Sequence, residues 1–125
     1  MDVIFATTPA TVEERYGRKV GKVGGYLPPL GLATVAAYVR ENGYSVDLID
    51  TVVLGITEDK LLAHLRKHRP KVFAITAITF DFGRATKFCE QVRGEFPDML
   101  IVIGGVHAHL QPFEVMESHR CYDIL

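Results

Sequence analysis

Cysteine is scarce in this 125-residue chain. Only Cys89 and Cys121 occur, with no Cys-x-x-Cys, so neither a disulfide scaffold nor a thiolate metal site is indicated. Charge of one sign is lacking too. Fourteen basic against fifteen acidic side chains leave a formal charge of −1, which argues against a nucleic-acid-binding surface as the main function. Long apolar runs are absent as well. The opening run, Val3 to Ala6 after Met1-Asp2, is too short and too acidic for a signal peptide, and no segment is built to span a bilayer. These absences predict a cytoplasmic protein without nucleic-acid or membrane partners. What remains is ordinary globular usage, 48% hydrophobic and 23% charged, in one domain large enough for a core.

The usual nucleotide motifs are missing. Ala10 to Leu27 has no consistent period and carries Gly17, Gly21, Gly24 and Gly25 among Arg15, Arg18, Lys19 and Lys22. It reads as a long loop, and such loops are chiefly functional or mobile. Its basic, glycine-rich character invites a phosphate-loop reading, but Gly17 and Gly21-Lys22 are separated by three residues where a Walker loop needs four. Val23 also stands where a magnesium-holding Ser or Thr belongs. No Gly-x-Gly-x-x-Gly follows the first strand. Nucleoside triphosphates and dinucleotides are therefore poor candidates.

What is there alternates. Val3 to Ala6 reads as a strand leaving through Thr7-Thr8-Pro9. Pro28-Pro29 introduces a helix over Leu30 to Asn42, closed by Gly43. That helix is apolar nearly all round, which predicts tight packing on the sheet. Tyr44 to Asp50 alternates as a second strand. Thr57 caps a helix with Glu58 and Asp59 in its first turn and a Leu61, Leu62, Leu65 stripe. His64 and His68 fall on its solvated, basic side. Val72 to Ile75 is a third strand, leaving through Thr76-Ala77-Ile78-Thr79. Ala85, Phe88, Cys89, Val92 and Phe96 then recur at helical spacing, which makes Cys89 a core residue rather than a nucleophile. Leu100 to Ile103 is a fourth strand, Pro112 to Ser118 a short helix, and Tyr122 to Leu125 the start of a fifth strand. Strand–helix alternation of this kind predicts an α/β, flavodoxin-like (Rossmann-like) doubly wound parallel sheet of order 2-1-3-4-5, truncated at the fifth strand. The chain reads as a piece of a longer protein. The absent last helix leaves apolar sheet exposed, so self-association is expected.

The fourth strand ends in Gly104-Gly105-Val106-His107, at the carboxyl edge where open α/β sheets bind ligands. A glycine pair there allows a sharp turn needing positive φ, and it equally allows a bulky group to lie on the backbone.

Three stretches together are similar to the N-terminal cobalamin-binding domain of cobalamin-dependent radical S-adenosylmethionine enzymes. They are Pro28-Pro29-Leu30-Gly31-Leu32, Gly43-Tyr44-Ser45-Val46-Asp47-Leu48-Ile49-Asp50, and Gly104-Gly105-Val106-His107 with Pro112-Phe113-Glu114. The resemblance runs in order over nearly the whole chain. It implies cobalamin as cofactor, with an iron–sulfur cluster and S-adenosylmethionine confined to a C-terminal radical domain of the same protein that these residues do not include. Members of the family include methyltransferases and anaerobic magnesium-protoporphyrin monomethyl ester cyclases. It implies cofactor contacts at Thr8, Pro9, Leu30, Gly31, Thr76, Ala77, Ile78, Thr79, Gly104, Gly105, Val106 and His107, and neither catalytic nor metal-ligating side chains.

Two departures matter. Cobalamin domains of the methionine synthase type carry Asp-x-His-x-x-Gly after the first strand, and this chain has no histidine before His64. Their Ser-x-Leu corresponds to Thr76-Ala77-Ile78, which keeps a hydroxyl and an apolar neighbour. Thr76 and Thr79 are equally readable as β-branched strand residues, and His107 as a tail contact or a turn cap. A signalling receiver is excluded, because Thr7-Thr8-Pro9 and Thr76 stand where its acidic residues belong. A flavin finds no Thr/Ser-rich phosphate loop. A degenerate flavodoxin-like interaction domain that no longer binds cobalamin stays open. So does the role of residues 10–27, as a cover over the corrin or a contact to the catalytic domain.

Overall fold

Short apolar runs buried on both faces specify parallel strands, and the computed structural model, which describes residues 1–21 and 27–125, contains four. They are β1 (Val3–Thr7), β2 (Val46–Ile49), β3 (Val72–Thr76) and β4 (Leu100–Gly104). The sheet order is β2-β1-β3-β4, all parallel. The helices are α1 (Val12–Gly21), α2 (Leu30–Glu41), α3 (Glu58–His68), α4 (Phe82–Glu95), α5 (Val106–Leu110) and α6 (Pro112–Ser118). Register aligns Thr7 with Thr76 and Thr76 with Gly104. The last residues of three strands therefore form one row along the carboxyl edge.

The two-residue period of a strand sorts the core into two layers. Ile4, Ala6, Phe73, Ile75, Ile101 and Ile103 face Leu61, Leu62 and Leu65 of α3 and Ala85, Phe88, Cys89 and Val92 of α4. Phe73 meets Phe88 edge-on at 6.0 Å. Each large side chain fully buried here contributes about 1.5–3 kcal/mol, so this layer dominates stability. The opposite layer is thinner. Val3, Phe5 and Ala74 pack with Ala36 of α2, flanked by the partly buried Leu32, Val39, Val46, Val72 and Val102. Beside them Leu100 stays 45% exposed.

Local rules account for the helix ends. The Thr57 hydroxyl accepts the Lys60 N–H at 3.4 Å, and Asn42 closes α2 with Gly43 beyond it at φ 90°.

Three expectations are corrected. First, the long loop over 10–27 contains a helix over Val12–Gly21; residues 22–26, with Lys22, Val23, Gly24 and Gly25, lie outside the described residues. Thr11 and Glu14 form a capping box, Glu14 N–H to Thr11 Oγ1 at 3.0 Å and Thr11 N–H to Glu14 Oε2 at 2.8 Å. Gly17, at φ 80° and ψ 157°, kinks the helix and so breaks the period that would have revealed it. Second, α2 does not pack all round. Ala36 is its one buried residue, while Leu30, Val35 and Tyr38 are 70%, 52% and 69% exposed. Third, no fifth strand forms. The segment after α6 meets β4 in one parallel bridge, Val102 with Ile124. The Asp123 carboxylate takes the Ile101 N–H at 2.7 Å and also pairs with Arg93, so a side chain stands where a ladder would continue.

Candidate functional site

The carboxyl edge of the sheet brings the predicted residues together, and they divide by what their groups already do. Thr7 is locked to the segment after β2, its hydroxyl bonding Thr51 Oγ1 at 2.8 Å and accepting the Thr51 N–H at 2.9 Å. Thr8 is fully buried and donates its hydroxyl to the Thr76 carbonyl at 2.9 Å. Pro9 is buried, and its carbonyl accepts from Arg84 at 3.1 Å. Ala77 is buried, and its N–H reaches the Gly104 carbonyl at 3.1 Å. Thr79 bonds the His107 Nδ1 at 3.2 Å, and the His107 ring stacks on Phe82 at 4.2 Å. These residues join the exits of β1, β3 and β4 into one rigid edge.

Gly105 belongs to the same set. Its φ of 103° with ψ 177° is a conformation essentially reserved for glycine. A β-carbon there would stand 2.3 Å from the Ala77 carbonyl oxygen and 2.8 Å from Thr76 Oγ1. The glycine is therefore required by backbone-on-backbone packing.

The remaining residues present free groups. Thr76 is half-buried, and among the described residues nothing bonds its hydroxyl. Gly104 is half-buried, and a β-carbon on it would meet nothing within 4 Å. Ile78 is 38% and Val106 54% exposed. Leu30 and Gly31 open α2, whose amino end lies at this same edge because a crossover helix runs back against its strands; Gly31 also faces open space.

Thr76 and Gly104 share a sheet face with Ala74, Val72, Val102 and Leu100 by the alternation of the strands. That face forms a strip running down from the edge beside α2, bare backbone and a hydroxyl at its mouth and a half-buried apolar floor below. The largest enclosed cleft is elsewhere. It measures about 520 Å³ and lies between residues 9–14 and 51–59 with Arg84 at its side, sharing only Pro9 with the predicted residues. An open strip with a single wall encloses little volume, so the lack of a cavity at Thr76 and Gly104 does not weigh against a ligand there.

Two charged pairs back this edge. Arg15 meets Asp81 at 2.9 Å with side chains 12% and 1% exposed, and Arg84 meets Glu14 at 2.9 Å. The hydrogen bond from Arg84 holds the Glu14 carboxyl down at about 2. The sequence reading missed both, although the Thr11-x-x-Glu14 signature was available. The histidines are otherwise engaged. His64 bonds Asp47 of β2 at 2.7 Å and lies 4.3 Å from the His68 ring, and His119 packs edge-on against Phe82. Cys89 is buried, as its place in the apolar stripe predicts, and burial pushes its thiol far up. Among the described residues no group of three His, Cys, Asp or Glu side chains is placed to hold a metal ion, and no helix is long and apolar enough to cross a membrane.

Comparison with known proteins adds three findings. The family described as "B12 binding domain" matches residues 19–125. An anaerobic magnesium-protoporphyrin IX monomethyl ester cyclase of Rubrivivax gelatinosus is 26% identical over 91% of this chain and 21% of its own length, and an uncharacterised methyltransferase of Pyrococcus horikoshii is 31% identical over 96% and 25%. The chain thus spans a fifth to a quarter of the length of these relatives. In fold it superposes with a TM-score of 0.75, at 20% identity, on a cobalamin-dependent S-adenosylmethionine radical enzyme, OxsB, solved with aqua-cobalamin and S-adenosylmethionine bound, covering 99% of this chain and 16% of that one.

Proposed function

The chain belongs to the B12 binding domain family, and on that premise we propose that it is the cobalamin-binding part of a radical S-adenosylmethionine enzyme of the methyltransferase or anaerobic cyclase kind. The iron–sulfur cluster and S-adenosylmethionine then belong to a C-terminal domain that is its partner. The support for such a partner is the much greater length of the relatives.

One observation carries the reading: an unbonded hydroxyl, a bare backbone and a half-buried apolar floor in one row. The residues fit the group. A nucleotide tail needs a hydrogen-bonding group at the mouth of its slot and a flat, unobstructed wall, and Thr76 and Gly104 offer them. The apolar strip from Ala74 to Val102 would take the flat base of that tail. Ile78, Val106 and Leu30, all exposed along the edge, would meet the corrin. When bound, cobalamin supplies a cobalt centre able to carry and transfer a methyl group. The chain's own work is to grip the tail, present the ring at the sheet edge and keep that edge rigid through Thr8, Ala77 and Gly105. None of its imidazoles serves as a lower ligand in this proposal. His64 is paired with Asp47, and His107 is held between Thr79 and Phe82.

Titration of the purified chain with aquacobalamin, followed by its visible spectrum, tests this. Saturable binding is expected for the wild type. Gly104→Leu, whose side chain enters open space, should keep the melting temperature within a few degrees and weaken binding at least tenfold. A wild type that never saturates would overturn the cobalamin reading, and equal affinity in the variant would overturn the assignment of the strip.

A further inference from the structure

Asp81 precedes α4 at the usual capping position but makes no cap there; its φ of −106° and ψ of 4° aim the side chain elsewhere. One oxygen accepts the Ile78 N–H at 2.8 Å, and the other receives Arg15 at 2.9 Å. The Asp81 backbone N–H meets the Ile78 carbonyl at 3.2 Å, so residue 78 is gripped at both of its peptide groups. Stability alone is a poor account of this arrangement. The pair is almost wholly buried, joined through a single guanidinium nitrogen, and Arg15 Nε is buried without a partner among the described residues. Buried pairs of that quality contribute little net stability, because desolvation offsets the attraction.

The placement of Ile78 explains it better. Ile78 follows the Thr76-Ala77 step that packs under Gly105, and its side chain reaches the surface at the mouth of the strip. An unbraced Ile78 amide would let the four residues between β3 and α4 re-turn, swinging this apolar wall. We propose that Asp81 is a positioning residue of the cobalamin site, acting through the Ile78 N–H to fix the wall at its mouth; this rests on the cobalamin reading above.

Two variants separate positioning from mere support. Asp81→Ala and Arg15→Met break the same buried pair and should lower the melting temperature comparably, but Arg15→Met leaves the carboxylate on the Ile78 amide. Hydrogen exchange at the Ile78 amide should quicken at least tenfold in Asp81→Ala and less than threefold in Arg15→Met. Affinity for aquacobalamin should follow exchange rather than stability: at least tenfold weaker in Asp81→Ala, within about threefold of wild type in Arg15→Met. Equal affinity in Asp81→Ala and wild type, or losses in both variants in step with their melting temperatures, would overturn the proposal while leaving the cobalamin reading intact. A wild type that does not bind would overturn the reading itself and this inference with it.

Discussion

Replacing Gly105 with alanine adds one methyl group, and the structure says where that methyl goes. It would stand 2.3 Å from the Ala77 carbonyl oxygen and 2.8 Å from Thr76 Oγ1, well inside contact distance, and the backbone atom cannot swing aside as a flexible side chain would. The φ of 103° with ψ near 180° adds a second cost. Holding a non-glycine residue in that region costs about 1–3 kcal/mol, and overpacking typically another 1–3 kcal/mol. The sum, about 2–6 kcal/mol, is a large share of the roughly 5–15 kcal/mol that holds a domain folded. At about 4 °C per kcal/mol for a chain of this size, the melting temperature should fall by about 10 °C or more. Gly104→Ala is the control, since its methyl meets nothing within 4 Å. It should change stability by less than about 1 kcal/mol, with a small gain from reduced freedom of the unfolded chain. Thermal unfolding by circular dichroism, repeated in urea, measures both. A Gly105→Ala protein as stable as wild type would refute the close packing of the β4 exit on the β3 exit.

Other consequences are as direct. Glu14 is held down at about 2 by its hydrogen bond from Arg84, so its contribution to stability is present above the usual carboxylate range near 4.5 and is lost as pH falls toward 2. The melting-temperature gap between wild type and Glu14→Gln should therefore be constant from pH 7 to 5 and shrink below pH 4.5; a gap unchanged at pH 3 would count against the Arg84 contact. Burial raises the Cys89 and Cys121 thiols, the latter to about 11, so iodoacetamide at pH 8 should leave both unmodified in the native chain and alkylate both in urea, as read by mass. Rapid labelling of Cys89 without denaturant would contradict its place in the core. Reduced cobalt in bound cobalamin should show no imidazole nitrogen splitting in its electron paramagnetic spectrum. A splitting that disappears in His107→Ala would overturn the histidine-free reading.

Much of this protein was written locally. Apolar runs at Val3, Val72 and Leu100, the capping Thr57 and the glycine at 43 each depend on neighbours a few residues away, and they sufficed for a parallel α/β sheet with β1 at its centre. Cys89 was legible as core because its spacing from Phe88 and Val92 sets its helix face whatever the partner. The glycine pair and Thr76 could be placed at one edge, since strand order alone brings carboxyl ends together. What those residues do there depended on atoms distant in sequence. Only the turn of β4 against β3 decided that Gly105 is demanded by the Ala77 carbonyl while Gly104 faces open space. Helix α1 escaped because Gly17 interrupts its period and because Arg15 and Glu14 are anchored by Asp81 and Arg84, about seventy residues on. The fifth strand failed for a related reason: the apolar pattern favoured it, yet Asp123 takes the Ile101 amide with its side chain, a competition no periodicity records. Sequence sets where each group stands along its own strand or helix; which groups are engaged and which are left free follows from contacts that exist only once the chain has folded.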